Sequence, residues 1–218
     1  MARYGKDHKQ QTRQRIVEAA GQRLKADGID GAGISTLMAD AGLTNGAFYA
    51  HFASKEDLVG AAVSEQLLRQ AASFRDRITT PEQLAQFVRD YLSTEHRDQR
   101  GDGCASAALV EEIGRCDAAT RRAYTDALLV LVDQVATLIS SGNDTGNATA
   151  ARVTTLSAYA LLVGTIQLSR CLTDSGLADA ILEEGAKNAM LILDLPQDRR
   201  GTGTQADDPV GGDGEHET

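Results

Sequence analysis

The stretch Leu37-Met38-Ala39-Asp40-Ala41-Gly42-Leu43-Thr44-Asn45-Gly46-Ala47-Phe48-Tyr49-Ala50-His51-Phe52 decides how this chain is read. A short helical segment from Ile34 to Ala41 meets the tight turn at Gly42-Leu43, and Thr44 is placed to cap a second short helix from Asn45 to about His51. Two short helices joined by a three-residue turn with a glycine form the helix-turn-helix arrangement, which presents its second helix to the DNA major groove. Leu37, Ala41, Leu43, Phe48 and Phe52 are spaced to pack the pair together and against a preceding helix. That packing leaves Thr44, Asn45, Ala47, Tyr49 and Ala50 facing outward.

Upstream, Ile16, Ala19, Ala20 and Leu24 line one face of an amphipathic helix from about His8 to Asp27, stopped by Gly28 and Gly31. Downstream, Ser54 with Asp57 resembles a capping box and opens a longer helix through Leu58, Ala62 and Leu67. Thr80-Pro81-Glu82-Gln83 joins a cap, a proline at the first helical position and a Gln three residues after the cap, so a helix is predicted to about Arg97. Gly101-Asp102-Gly103 breaks the chain before helices over Cys104 to Arg115 and Ala118 to Ser140, and residues 142–146 read as a loop. Two more helices follow, about Asn147 to Leu172 and about Leu177 to Leu195, the last stopped by Pro196. The former is apolar over most of its circumference, which implies burial on more than one side.

The expected fold is all-α with about nine helices, in three parts. Residues 1–53 form an N-terminal arm and helix-turn-helix domain, 54–196 a helical domain, and 197–218 a disordered acidic tail. Composition agrees: 42% of the 218 residues are hydrophobic and 24% charged, and only three are proline, which favours long helices. No run of about 18 consecutive apolar residues and no signal-peptide core is present, so a cytoplasmic chain without membrane contact is expected. Cys104, Cys116 and Cys171 are odd in number and widely spaced, fitting neither a disulfide framework nor a zinc site. Neither metal nor cofactor is expected.

The net charge of −9 would argue against a polyanionic partner if it were evenly spread. It is not. Residues 1–25 carry seven Lys and Arg against Asp7 and Glu18, whereas the tail from Gln197 carries two Arg against six acids. Only the front end is built to meet DNA.

These residues closely resemble the TetR family of transcriptional regulators. The likeness begins at Thr12-Arg13-Gln14-Arg15-Ile16-Val17-Glu18-Ala19-Ala20, runs through Ala41 to Phe52, and ends at Ser54-Lys55-Glu56-Asp57-Leu58. Gly103-Cys104-Ala105 and Tyr159-Ala160-Leu161-Leu162-Val163-Gly164 look like segments common in the family's variable C-terminal domain. Gly33, Met38 and Leu24 depart from the usual Ser or Thr cap, small Ala and Phe.

On this reading Thr44 and Asn45 sit where free backbone N–H groups favour a phosphate, and the Asn amide reaches for a base edge. Gly46 admits close backbone approach, Ala47 meets a thymine methyl, and Tyr49 and His51 donate to the DNA backbone. Thr36 joins this set, Lys55 adds a charge, and Arg3, Lys6 and Lys9 form an arm along the backbone or in the minor groove. The recognition helix has no Arg or Lys, so specificity leans on apolar contacts, one amide and DNA shape.

The resemblance further implies a homodimer through the last two helices, a palindromic double-stranded operator, and a small-molecule inducer of unknown identity that releases a repressor. Phe74, Phe87, Tyr91, Tyr124, Tyr159 and Gln167 are the candidate lining of an effector pocket. Cys104, at a helix N-terminus beside Arg100, carries an alternative: a repressor sensing oxidants or electrophiles through its thiol. A helical enzyme is the rival from another class. It finds no support, because His8, His51, His96 and His216 are scattered and no nucleophile motif or phosphate-cradling loop is present.

Overall fold

The computed structural model describes residues 2–140 and 148–197, with side chains from Asp7 onward. The 142–146 loop and almost all of the acidic tail, both read from sequence above, lie outside the described residues. Nine α-helices and one 3₁₀ segment make up the described fold, without strands. They are α1 (Ala2–Asp27), α2 (Ile34–Asp40), the 3₁₀ segment (Asn45–Ala50), α3 (Lys55–Arg77), α4 (Pro81–Tyr91), α5 (Thr94–Asp98), α6 (Ala105–Arg115), α7 (Ala118–Ser140), α8 (Ala148–Ser169) and α9 (Ser175–Ile192).

Most boundaries follow from local chemistry. Ser54 Oγ accepts from the Asp57 N–H while Asp57 accepts from the Ala53 N–H, a variant capping box that starts α3. At α4 the box is complete, with Thr80 accepting from the Gln83 N–H and Gln83 Oε1 accepting from the Thr80 N–H. Asp174 caps α9 through the Leu177 N–H.

Three elements differ from the sequence reading. The helix expected to reach Arg97 ends at Tyr91, because Ser93 Oγ accepts from the His96 N–H and caps a separate α5, which raises the helix count to ten. The second helix of the helix-turn-helix is a 3₁₀ segment, and Thr44 makes no side-chain cap. The arm expected around Arg3, Lys6 and Lys9 continues α1 back to Ala2.

α3 is the spine. It buries Leu58, Val59, Ala62, Val63, Leu67, Ala71 and Phe74, packing on α1 on one side and most extensively along α7 on the other. The α3–α7 crossing is close where a Cβ on Gly60 would lie 3.6 Å from the Thr120 backbone, and Thr120 donates to the Glu56 carbonyl at 3.3 Å. α8 and α9 approach as closely: a Cβ on Gly185 would fall 2.8 Å from Thr165. By length and composition α7 and α8 would each span a bilayer, but here each packs on neighbouring helices and contributes to the core.

A half-buried polar clamp closes the bundle. The Arg170 guanidinium, after α8, donates to the carbonyls of His96, Arg97 and Ala107 at 2.9, 2.9 and 3.0 Å, fastening α8 to α5 and α6.

Candidate functional site

The helix-turn-helix is held from below by an apolar core. Ile16, Ala20 and Leu24 of α1, Leu37 and Met38 of α2, and Phe48 are fully buried, and Phe48 stacks on Phe52 with centroids 5.8 Å apart. Met38 is accommodated inside this core despite departing from the usual small residue. Arg13 lies over the Phe52 ring at 4.7 Å, and Arg23 bridges α1 to α2 through a bidentate pair with Asp40 at 2.7 and 3.0 Å.

The turn itself is a Schellman motif. The Leu43 N–H donates to the Met38 carbonyl and the Gly42 N–H to the Ala39 carbonyl, each at 2.9 Å, with Gly42 at φ +68°. This left-handed residue reverses the chain so that the 3₁₀ segment lies across α2. At the other end of α2, Gly33 supplies extended backbone but no capping side chain.

Thr36, Thr44, Asn45, Gly46 and Tyr49 are exposed, and Tyr49 leaves 73% of its surface open while its ring meets Phe48 edge-on at 5.1 Å. The ring thus projects into solvent while one edge is braced by a buried neighbour. Ala47, read as outward, is half-buried against the core. His51 is half-buried too, with Nδ1 buried and unpartnered, and burial together with Lys9 and Arg13 holds its pKa below the ordinary histidine value. Its imidazole is therefore neutral near pH 7. Lys55 shares a cleft of about 530 Å³ with Asp30, Glu56, Glu112 and Asp117, so its charge lies among acids. The side chains of Arg3 and Lys6 lie outside the described residues.

A second cleft, of about 490 Å³, opens between α1, α3, α4 and α6. Of the candidate effector residues it gathers Phe74, Phe87, Tyr91 and Cys104 on one wall. Tyr159 lies beneath, its hydroxyl 3.2 Å from Cys104 Sγ, while Tyr124 is drawn aside to a 3.0 Å hydrogen bond with Ser106. Gln167 is half-exposed on α8 and does not line this cleft. Cys104 begins α6 as expected, but Arg100, expected beside it, lines a different cleft together with Arg97 and Arg170.

Lys25, Gln70 and His96 also line the cleft, and the sequence reading missed all three in this role. His96 donates from Nδ1 to the Tyr91 carbonyl at 2.6 Å and accepts the Cys104 N–H at Nε2 at 3.0 Å, which fixes a neutral tautomer. Burial lowers its pKa in accord with that assignment. Burial also pushes the Tyr91 and Tyr159 phenols well above their ordinary range.

Two tethers join this region to the helix-turn-helix domain. Lys25 Nζ donates to the Gly103 carbonyl at 2.9 Å, and Glu112 of α6 accepts the Ile29 N–H at 2.7 Å and the Asp30 N–H at 3.4 Å. A side chain at Gly28, where φ is +80°, would press on the Glu112 carboxylate.

Residues 16–62 match the family described as bacterial regulatory proteins, tetR family. The chain is 28% identical over 123 residues to the HTH-type transcriptional repressor AcnR of Corynebacterium diphtheriae, a match covering 56% of this chain and 60% of that repressor. The fold is similar to the reduced form of NemR from E. coli, with a TM-score of 0.70 at 18% identity, covering 85% of this chain and 98% of that one. It is also similar to a TetR-family regulator from Cytophaga hutchinsonii, with a TM-score of 0.66 at 19% identity, covering 86% and 96% of the two chains.

Proposed function

We propose that this chain, whose residues 16–62 match the tetR family of bacterial regulatory proteins, is a ligand-releasable transcriptional repressor of that family that binds a palindromic operator as a homodimer. The observation that carries this reading is the braced, exposed Tyr49 on a 3₁₀ segment that also exposes Asn45 and Gly46, beside exposed Thr44 and, on α2, Thr36. One such segment reads few base pairs, and two-fold symmetry doubles the read-out by placing a second segment about 34–36 Å away along the duplex.

The apolar outer faces of α8 and α9 support the dimer. Val153, Ser157, Ala160, Gly164 and Leu168 form one exposed stripe on α8, with Leu177 and Leu191 exposed on α9. Small residues between larger apolar ones let two copies of α8 approach closely, and a four-helix arrangement across the axis removes this surface from water.

The Cys104–Tyr91 cleft is the proposed effector site. Its walls include the end of α1 and the start of α6, so occupancy shifts the balance between arrangements of the two domains through the Lys25–Gly103 and Glu112–Ile29 tethers. In one arrangement the paired recognition segments fit successive grooves; in the other they do not.

Selection from random duplexes tests the DNA reading. An inverted repeat is enriched, affinity falls steeply with salt, and Tyr49→Ala and Lys55→Ala each weaken binding about tenfold or more. Enrichment of no motif overturns it.

A second reading follows from Cys104 lining the open cleft, held by Tyr159 and by Gln70 Oε1 at 3.6 Å. In it, oxidation or alkylation of the thiol releases DNA. If Cys104→Ser leaves release by hypochlorite or methylglyoxal unchanged, that second reading is wrong.

A further inference from the structure

The effector cleft holds a buried charge that the fold leaves under-compensated. Lys25 is only 6% exposed, its ammonium has one hydrogen-bond acceptor, the Gly103 carbonyl, and among the described residues it forms no ion pair. Asp102 is near enough to attract it, but burial outweighs that attraction and draws its pKa down. Tyr91, 5% exposed, lines the same cleft, and among the described residues its buried hydroxyl, close to Cys104, makes no well-aligned hydrogen bond. An unmade hydrogen bond at a buried donor is costly, so two polar groups of this cleft await an acceptor. On the same cleft wall, Phe74 and Phe87 meet edge-to-face at 5.5 Å and offer an apolar surface.

We infer that this cleft binds a small organic acid, a carboxylate on an aromatic or compact apolar body, with the carboxylate on Lys25, the body against Phe74 and Phe87, and a ligand oxygen accepting from the Tyr91 hydroxyl. This rests on the reading of the cleft as the effector site and adds the ligand's chemistry. A volume of about 490 Å³ suits a ligand of that size. A single ammonium matches one carboxylate better than a phosphoryl dianion. Of the two guanidinium groups lining the cleft, Arg69 is already engaged by Glu18 and Glu65 and the exposed Arg77 donates to the Ser73 carbonyl at 3.3 Å, and Asp90 and Asp102 in the same cleft oppose further negative charge. Because Lys25 lies in the last turn of α1, the acid is sensed by the helix that carries the DNA-reading domain.

Calorimetric titration of the full chain with benzoate, phenylacetate and cyclohexanecarboxylate, beside benzamide and inorganic phosphate, tests the inference. At least one acid binds, benzamide binds about tenfold or more weakly, and phosphate does not compete. Lys25→Met weakens the acid about tenfold or more, and the near-isosteric Tyr91→Phe, which keeps the ring packing, weakens it about threefold to tenfold. Equal binding of acid and amide, preference for phosphate, affinity unchanged in Tyr91→Phe, or no acid bound at about 10 mM overturns the inference. Preference for an inverted repeat, measured on the same sample, stands or falls separately, so a failed ligand class is distinguished from a failed regulator reading.

Discussion

Two glycines flank α2, and the backbone angles predict opposite outcomes when each gains a side chain. Gly42 sits at φ +68°, and a Cβ there meets nothing within 4 Å, so the whole penalty of Gly42→Ala is conformational. The left-handed region costs an L-residue about 1–2 kcal/mol, while alanine's stiffer unfolded chain returns about 0.4–1 kcal/mol, leaving a net loss near 1 kcal/mol. Gly33 sits at φ −73° and ψ 150°, which suits any residue, and it too has open space for a Cβ. Gly33→Ser adds the missing cap, a few tenths of a kcal/mol over glycine, and the same unfolded-state effect, for a gain of about 0.5–1 kcal/mol. At roughly 2–4 °C per kcal/mol for a chain of this size, calorimetric melting of Gly42→Ala falls by about 2–4 °C and that of Gly33→Ser rises by about 1–4 °C. A Gly42→Ala variant melting at or above the wild type, or a Gly33→Ser variant melting below it, refutes the assignment of these conformations.

Replacing Arg170 by Met removes three hydrogen bonds that join α8 to α5 and α6, and denaturant unfolding should report a loss of about 2–3 kcal/mol, with no change smaller than about 1 kcal/mol compatible with the clamp. His96 is held neutral with its pKa lowered, so the unfolded state takes up the proton first. Its contribution to stability is complete above about pH 6.5 and is lost as pH falls from there through the depressed native value, by at most about 1.4 kcal/mol per pH unit. His51 is shifted the same way and adds to the slope, so the comparison is with His96→Gln, which should flatten stability against pH between about 7 and 5. An unchanged slope would exclude the neutral His96 bridge.

The reading head was legible because its signals are local. Gly42, the cap at Ser54 and the Phe48–Phe52 spacing lie within one short window, and the Thr80–Gln83 box needed only four residues. The break after Tyr91 was not, since Leu92-Ser93-Thr94 carries neither Gly nor Pro and only the Ser93–His96 hydrogen bond ends the helix there. Nor does the sequence distinguish 3₁₀ from α over six residues, only two turns of the one and fewer than two of the other. The cleft was half visible: aromatic residues suggested it, but Lys25, Gln70, His96 and Cys104 come from four separate elements, and no periodicity joins them. A lysine in a last helical turn ordinarily reads as a solvated partner of the helix dipole, and only tertiary packing buries this one.

In the proposed repressor, two copies of the chain hold their recognition segments one groove-to-groove distance apart. Affinity for the selected inverted repeat should be compared with that for the same half-sites separated by about five extra base pairs, half a helical turn, which rotates one half-site to the opposite face of the duplex. The account predicts two protomers on the parent fragment and a loss of about a hundredfold or more on the expanded one. Equal affinity for both fragments, or one protomer sufficing on either, would contradict it.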